Sequence, residues 1–121
     1  MKQTITPDYS LGSHVAALGL AFSEGAKLPD PFKNGAFIGE HGSWNRKPRS
    51  GYKVIFLHFE NGRPVGKPVD VLTGFVNEKG EAYGRPVGVV VDKEGALLVA
   101  DDVGNKIWHI TAALAPEVAL D

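Results

Sequence analysis

A segment near the start of the chain recurs near its end, and this repetition limits the fold more than any other feature. Gly19-Leu20-Ala21-Phe22-Ser23-Glu24-Gly25 resembles Gly88-Val89-Val90-Val91-Asp92-Lys93-Glu94. Gly35-Ala36-Phe37-Ile38 resembles Gly95-Ala96-Leu97-Leu98, and Tyr52–Phe59 corresponds to Lys106–Thr111. Each copy reads strand, turn, strand, loop, strand, turn, strand. A four-stranded antiparallel unit of this kind is a β-propeller blade, which in repeat families runs ~40–50 residues. An ordinary β-sandwich of seven or eight strands fits the strand count but leaves the repeat unexplained. It also leaves unexplained the small, apolar residues of Val15–Ser23 and Val87–Val91, which suit strands crowded near a propeller axis. The expectation is therefore an all-β chain with an N-terminal arm over residues 1–13, a first blade over 14–76 and a second over 84–121.

Within that frame the strands are read from pattern. Val15–Ser23 is apolar enough for a strand buried on both faces, and Ala36–Glu40 follows a loop marked by Gly25, Pro29 and Pro31. Tyr52–Phe59 is rich in β-branched and aromatic residues. Asn61-Gly62 is a hairpin turn signal, answered by a strand at Val69–Phe75. Val87–Asp92, Leu97–Ala100 and Lys106–Thr111 form the second set. The tail 112–121 fits either a last strand or a loose end. No segment has the period of a helix of normal length.

Two blades cannot cover their own outer faces, and stable repeat structures need roughly three or more stacked units. Self-association is the expectation, with a homotrimer favoured because it supplies six blades, and a dimer as the alternative. The net charge of −1 gives no footprint for nucleic acid or an anionic membrane. The chain has no cysteine, so disulfides and thiolate metal sites are excluded. No stretch reaches the roughly 18–20 apolar residues of a membrane helix. Residues 1–7 have no apolar core of the secretory kind, so the expectation as written is a cytoplasmic product.

Three clusters carry candidate chemistry. His41, Trp44, Asn45 and Arg46 lie in the glycine-bearing segment 39–46, where such groups can stack on a planar ligand and bond its edges. Arg85 stands at the mouth of the first strand of the second unit, placed for a carboxylate. Asp101 and Asp102 stand at a strand end, where aspartate also favours capping a tight turn. Loops before strand one and after strand two of a blade share one face of the disc, so all three clusters are expected on that face. The histidines show no metal-ligand spacing, and no protein-made metal site is expected. His14, His58 and His109 read as structural or sheet residues.

His14–Phe22, GEHGSWNR (Gly39–Arg46), the segment Gly51–Gly66, LTGF (Leu72–Phe75) and GRPVGVVVDKEGALLVADDVGNKIW (Gly84–Trp108) resemble the final part of the PQQ-dependent glucose/sorbosone dehydrogenase family. The resemblance covers about residues 8–112. It implies a six-bladed propeller on a much longer chain, using pyrroloquinoline quinone (PQQ) and calcium to oxidise sugars, commonly in the periplasm. It implies that Arg85 matches an arginine on the cofactor's carboxylates, that Asp101 lies beside the cofactor pocket, and that the 41–46 loop is on the cofactor side. Lysine-bearing relatives differ at Arg46. The family's general base and much of its calcium site lie on early blades that have no counterpart here. The expectation is a partial module that binds PQQ or another anionic ligand, with no calcium site and no catalytic residue of its own; the alternatives are a trimeric ligand-binding propeller, or a PQQ-dependent sugar oxidoreductase active only as an assembly.

Overall fold

The structure is a computed structural model that describes residues 5–29, 31–43 and 50–112. Two antiparallel sheets account for every strand among them. The first contains β1 (Ala17–Phe22), β2 (Gly35–Glu40), β3 (Lys53–Glu60) and β4 (Arg63–Leu72), paired in sequence order. The second contains β5 (Pro86–Val91), β6 (Leu97–Asp101) and β7 (Lys106–Ile110), again in order. No helix is present among the described residues, and none is long and apolar enough to cross a membrane. The last strand or loose end expected over residues 112–121 falls on a tail of which residues 113–121 lie outside the described residues.

Local chemistry sets the hairpins. Asn61 and Gly62 have φ of 53° and 78°, the doubly positive pair of a type I′ turn, whose twist matches that of the flanking strands. Glu60 and Arg63 then close the hairpin as partners. β4 starts at that turn, six residues earlier than the pattern suggests. Pro64 and Pro68 hide it, because proline removes ladder donors and is tolerated mainly on edge strands. β4 is an edge strand, and its register against β3 shifts twice.

The sheets pack face to face. Phe37, Val54 and Phe56 of sheet one meet Leu97 and Val99 of sheet two in one buried cluster. Phe32, Val89, Val91, Trp108 and Ile110 close around it. Phe32 and Phe37 stack against Phe56 with ring centroids 5.6 and 5.0 Å away. Each such side chain contributes about 1.5–3 kcal/mol by leaving water. On the far side of sheet one, Tyr9 and Leu11 of the arm lie over Ile38, Ile55 and Leu57.

This packing corrects the repeat by one residue in its later strands. Phe37 and Leu97 face each other across the core, so they sit on opposite faces of their own sheets and cannot be equivalent. Ala21 pairs with Phe37 and Val90 pairs with Leu98. Equating β1 with β5 therefore makes Phe37 the counterpart of Leu98, not Leu97. A one-residue slip reverses the face of every side chain in a strand, which composition alone does not reveal. A second correction concerns β1. It is not buried on both faces: Leu18, Leu20 and Phe22 are more than half exposed, and only the Gly19–Ala21 side is turned to sheet two.

Gly19 makes the close approach of β1 and β5 possible. A Cβ there would lie 2.2 Å from the Val87 carbonyl oxygen and 2.9 Å from the Gly88 Cα, both backbone atoms that cannot swing aside. Gly19→Ala is expected to lower the unfolding free energy by about 2 kcal/mol, as overpacking does. Urea titration followed by far-UV circular dichroism checks this, and unchanged stability would contradict the seating described.

Candidate functional site at the joined strand ends

Asp101 ends β6 and is 4% exposed. Its Oδ1 accepts hydrogen bonds from the backbone N–H of Arg85 (2.9 Å), Val103 (3.1 Å) and Gly104 (2.8 Å). Its Oδ2 accepts from the Trp108 indole N–H at 3.1 Å. Gly84 permits this arrangement, since a Cβ there would stand 2.2 Å from Asp101 Oδ2. Burial is the largest influence on the Asp101 carboxyl and pushes its pKa up, but the four hydrogen bonds together outweigh it and hold the group below its ordinary value.

Arg85, fixed through its backbone by Asp101, reaches across to sheet one. Its Nε donates to the His41 carbonyl at 2.9 Å, and its Nη2 donates to the Gly42 and Ser43 carbonyls at 2.8 and 3.3 Å. The guanidinium carbon lies 4.9 Å from the centre of the Tyr52 ring, within cation–π range. Buried Tyr52 donates its own hydroxyl to the Ser43 carbonyl. Ser43 and Ser50 join by two hydrogen bonds: the Ser43 N–H to the Ser50 carbonyl, and the Ser50 N–H to the Ser43 hydroxyl oxygen.

A second link crosses the same gap. His41 Nε2 pairs with Asp102 at 2.9 Å and 3.2 Å from its two oxygens. The backbone N–H groups of His41 and Gly42 donate to Ala16 and Val15, which anchors this turn to the entrance of β1.

The structure thus brings Arg85, His41 and Asp101 together at one end of the two sheets. Trp44, Asn45 and Arg46 lie outside the described residues. Sequence reasoning missed Tyr52 and Trp108 as parts of this node. Their signal was weak, because an aromatic residue in a strand reads first as core. Of the other histidines, His58 has Nδ1 2.9 Å from the Lys33 carbonyl, and His109 stands 3.7 Å from Asp92. Neither approaches the node by any described contact. A concavity of about 1010 Å³ lies at the opposite end of sheet one, lined by residues that include Phe22, Lys33, His58 and Asn61. It shares no lining residue with the node.

Chemically, the node is a clamp with one ionic edge. Asp101 has its oxygens filled by internal donors and serves to position Arg85. Arg85 commits Nε and Nη2 to carbonyls, while Nη1 makes none of the described hydrogen bonds. Arg85 as a whole is half-buried.

The TrAA12-like family model matches residues 1–113. A protein of Borreliella burgdorferi of uncharacterized function is 38% identical over 103 residues, covering 84% of this chain and 27% of the relative. The pyrroloquinoline quinone-dependent pyranose dehydrogenase of Coprinopsis cinerea is 26% identical, covering 94% of this chain and 17% of that protein. The solved holo PQQ domain of the Coprinopsis cinerea pyranose dehydrogenase superposes with a TM-score of 0.60 at 28% identity, covering 78% of this chain and 26% of that one. A glucose dehydrogenase crystal structure gives 0.69 at 21% identity, over 93% and 28%, a likeness of fold alone. The chain therefore spans about a quarter or less of the length of these relatives.

Asp101→Asn is expected to cost about 2 kcal/mol at neutral pH, the scale of hydrogen bonds to a charged acceptor. The new amide also turns a donor toward the Trp108 N–H or the backbone donors. A carboxyl held low in the folded state stabilises above its unfolded pKa, about 3.9. That contribution disappears as pH falls through the lowered folded value. The gap between native protein and variant should therefore be full at pH 7 and close in acid, as read by denaturant titration across pH. A gap independent of pH would contradict the assignment.

Proposed function

Because the chain belongs to the TrAA12-like family, we propose that it is a dehydrogenase-like module that supplies one wall of a site for an anionic cofactor of the PQQ kind and does not oxidise sugar itself. The observation that carries this reading is the guanidinium of half-buried Arg85, held by Asp101 and by three carbonyls, with Nη1 outside the described hydrogen bonds. A fixed guanidinium is pre-organised for a carboxylate. The described residues fit one carboxylate of the tricarboxylate PQQ rather than all of them. Arg85 would hold that carboxylate with His41 beside it, and the other contacts must come from outside these residues. When bound, PQQ supplies the electron acceptor. Asp101 sits behind Arg85 as a positioning residue.

Titration of the protein with PQQ and calcium, followed by fluorescence, tests the reading. Binding is expected, and Arg85→Ala is expected to weaken it at least tenfold, about 1.4 kcal/mol. Thermal melting without PQQ separates loss of the contact from loss of the clamp. No binding, or an affinity unchanged in a folded Arg85→Ala variant, sinks the proposal.

A second reading rests on the His41–Asp102 pair. A carboxylate on one imidazole nitrogen orients the ring as a general base requires. On that reading the chain is a PQQ-dependent sugar oxidoreductase, active only as an assembly. Sugar-dependent dye reduction by the PQQ-loaded protein, abolished in Asp102→Asn, would favour it. No reduction is expected from the module alone.

A further inference from the structure

The joint between the two sheets uses two complementary faces, and each recurs a second time, exposed, among the described residues. At the joint, sheet one offers Gly19 and Ala21, and sheet two offers Val87, Val89 and Val91. Along the chain, Gly88 and Val90 are the repeat counterparts of Gly19 and Ala21, and Leu18, Leu20 and Phe22 are the counterparts of Val87, Val89 and Val91, all at one constant offset.

The counterparts stand open. A Cβ on Gly88 would meet nothing within 4 Å, whereas one on Gly19 collides with backbone. Val90 and Ile107 are 54% and 72% exposed on the same far side of sheet two as Gly88. Leu18, Leu20 and Phe22 are 56%, 57% and 63% exposed on the far side of sheet one. The arm residues Tyr9 and Leu11 cover only the adjoining strip over Ile38, Ile55 and Leu57. Contiguous apolar surface of this kind is uncommon on a solitary soluble domain.

We propose that these two faces bind each other between copies of the chain, so that Leu18, Leu20 and Phe22 of one copy seat against Gly88 and Val90 of the next. The internal joint is the template: a backbone carbonyl of the incoming innermost strand packs on the glycine, and the alternate side chains fill the flanking apolar surface. The interface is head-to-tail, because each copy contributes two different faces. A repeated rotation of this kind closes into a ring, and three copies, the trimer expected from the sequence, supply six blades to it. The joint between copies lacks the cationic clamp, since Ala16 occupies the position that corresponds to Arg85. Association therefore rests on apolar burial. This inference does not depend on the cofactor reading.

Light scattering on the 121-residue protein should give a mass of at least three 12.9 kDa chains at high micromolar concentration. Leu20→Glu places a charge at an exposed position and Gly88→Glu one where a side chain meets open space, so each disables one face, both variants should keep the β spectrum and each should be monomeric alone. Mixed, they should form a 1:1 heterodimer through the one intact face that each retains. A monomeric native protein would overturn the proposal. So would an oligomer that survives both substitutions, or two monomeric variants that fail to pair when mixed.

Discussion

One buried carboxylate organises the end of the molecule where the two sheets join. Asp101 collects three backbone N–H groups and an indole N–H, and in doing so fixes the turn after β6 and the residue that leads into β5. Arg85 then projects from a rigid base and closes on the carbonyls of His41, Gly42 and Ser43. An isolated charge in this position would be costly, but a carboxylate supplied with donors is stable there. The hydrogen bonds define the orientation of the cation, and the cation defines how the two sheets meet.

The two ends of the joint rely on different physics. At the node, charge and directional hydrogen bonds set the geometry. Along β1 and β5, contact is nonpolar and tight, set by the missing side chain of Gly19. The apolar cluster of Phe37, Val54, Phe56, Leu97 and Val99 lies between the sheets and provides most of the driving force. A rigid scaffold with polar groups at its strand ends is the arrangement on which binding sites are commonly built.

Much of this was legible in the residues. The type I′ turn at Asn61-Gly62 and the apolar runs around β3, β5 and β6 declare themselves by composition and period. The clustering of Arg85, His41 and Asp101 follows from which strand ends share an edge. Four things were hidden. Two prolines masked the start of β4, because their cost depends on whether a strand is central or at an edge, which only the topology decides. Side-chain similarity sets the repeat one residue out in its second and third strands, because the likeness of Phe37 and Leu97 does not record which face each occupies. The occupation of Arg85 by carbonyls was invisible, since backbone acceptors leave no mark in a sequence. The exposed face of β1 likewise reads as buried when only its composition is considered.

The ionised state of Asp101 is the premise of the whole node, and carbon-13 NMR of the labelled carboxyl group across a pH titration observes it directly. The account predicts a midpoint below the ordinary aspartate value of about 3.9, with the Arg85, Val103 and Gly104 amide signals shifting at the same pH. A midpoint at or above the ordinary value would mean that burial prevails over the hydrogen bonds, and the carboxylate could not be what holds Arg85 across the two sheets.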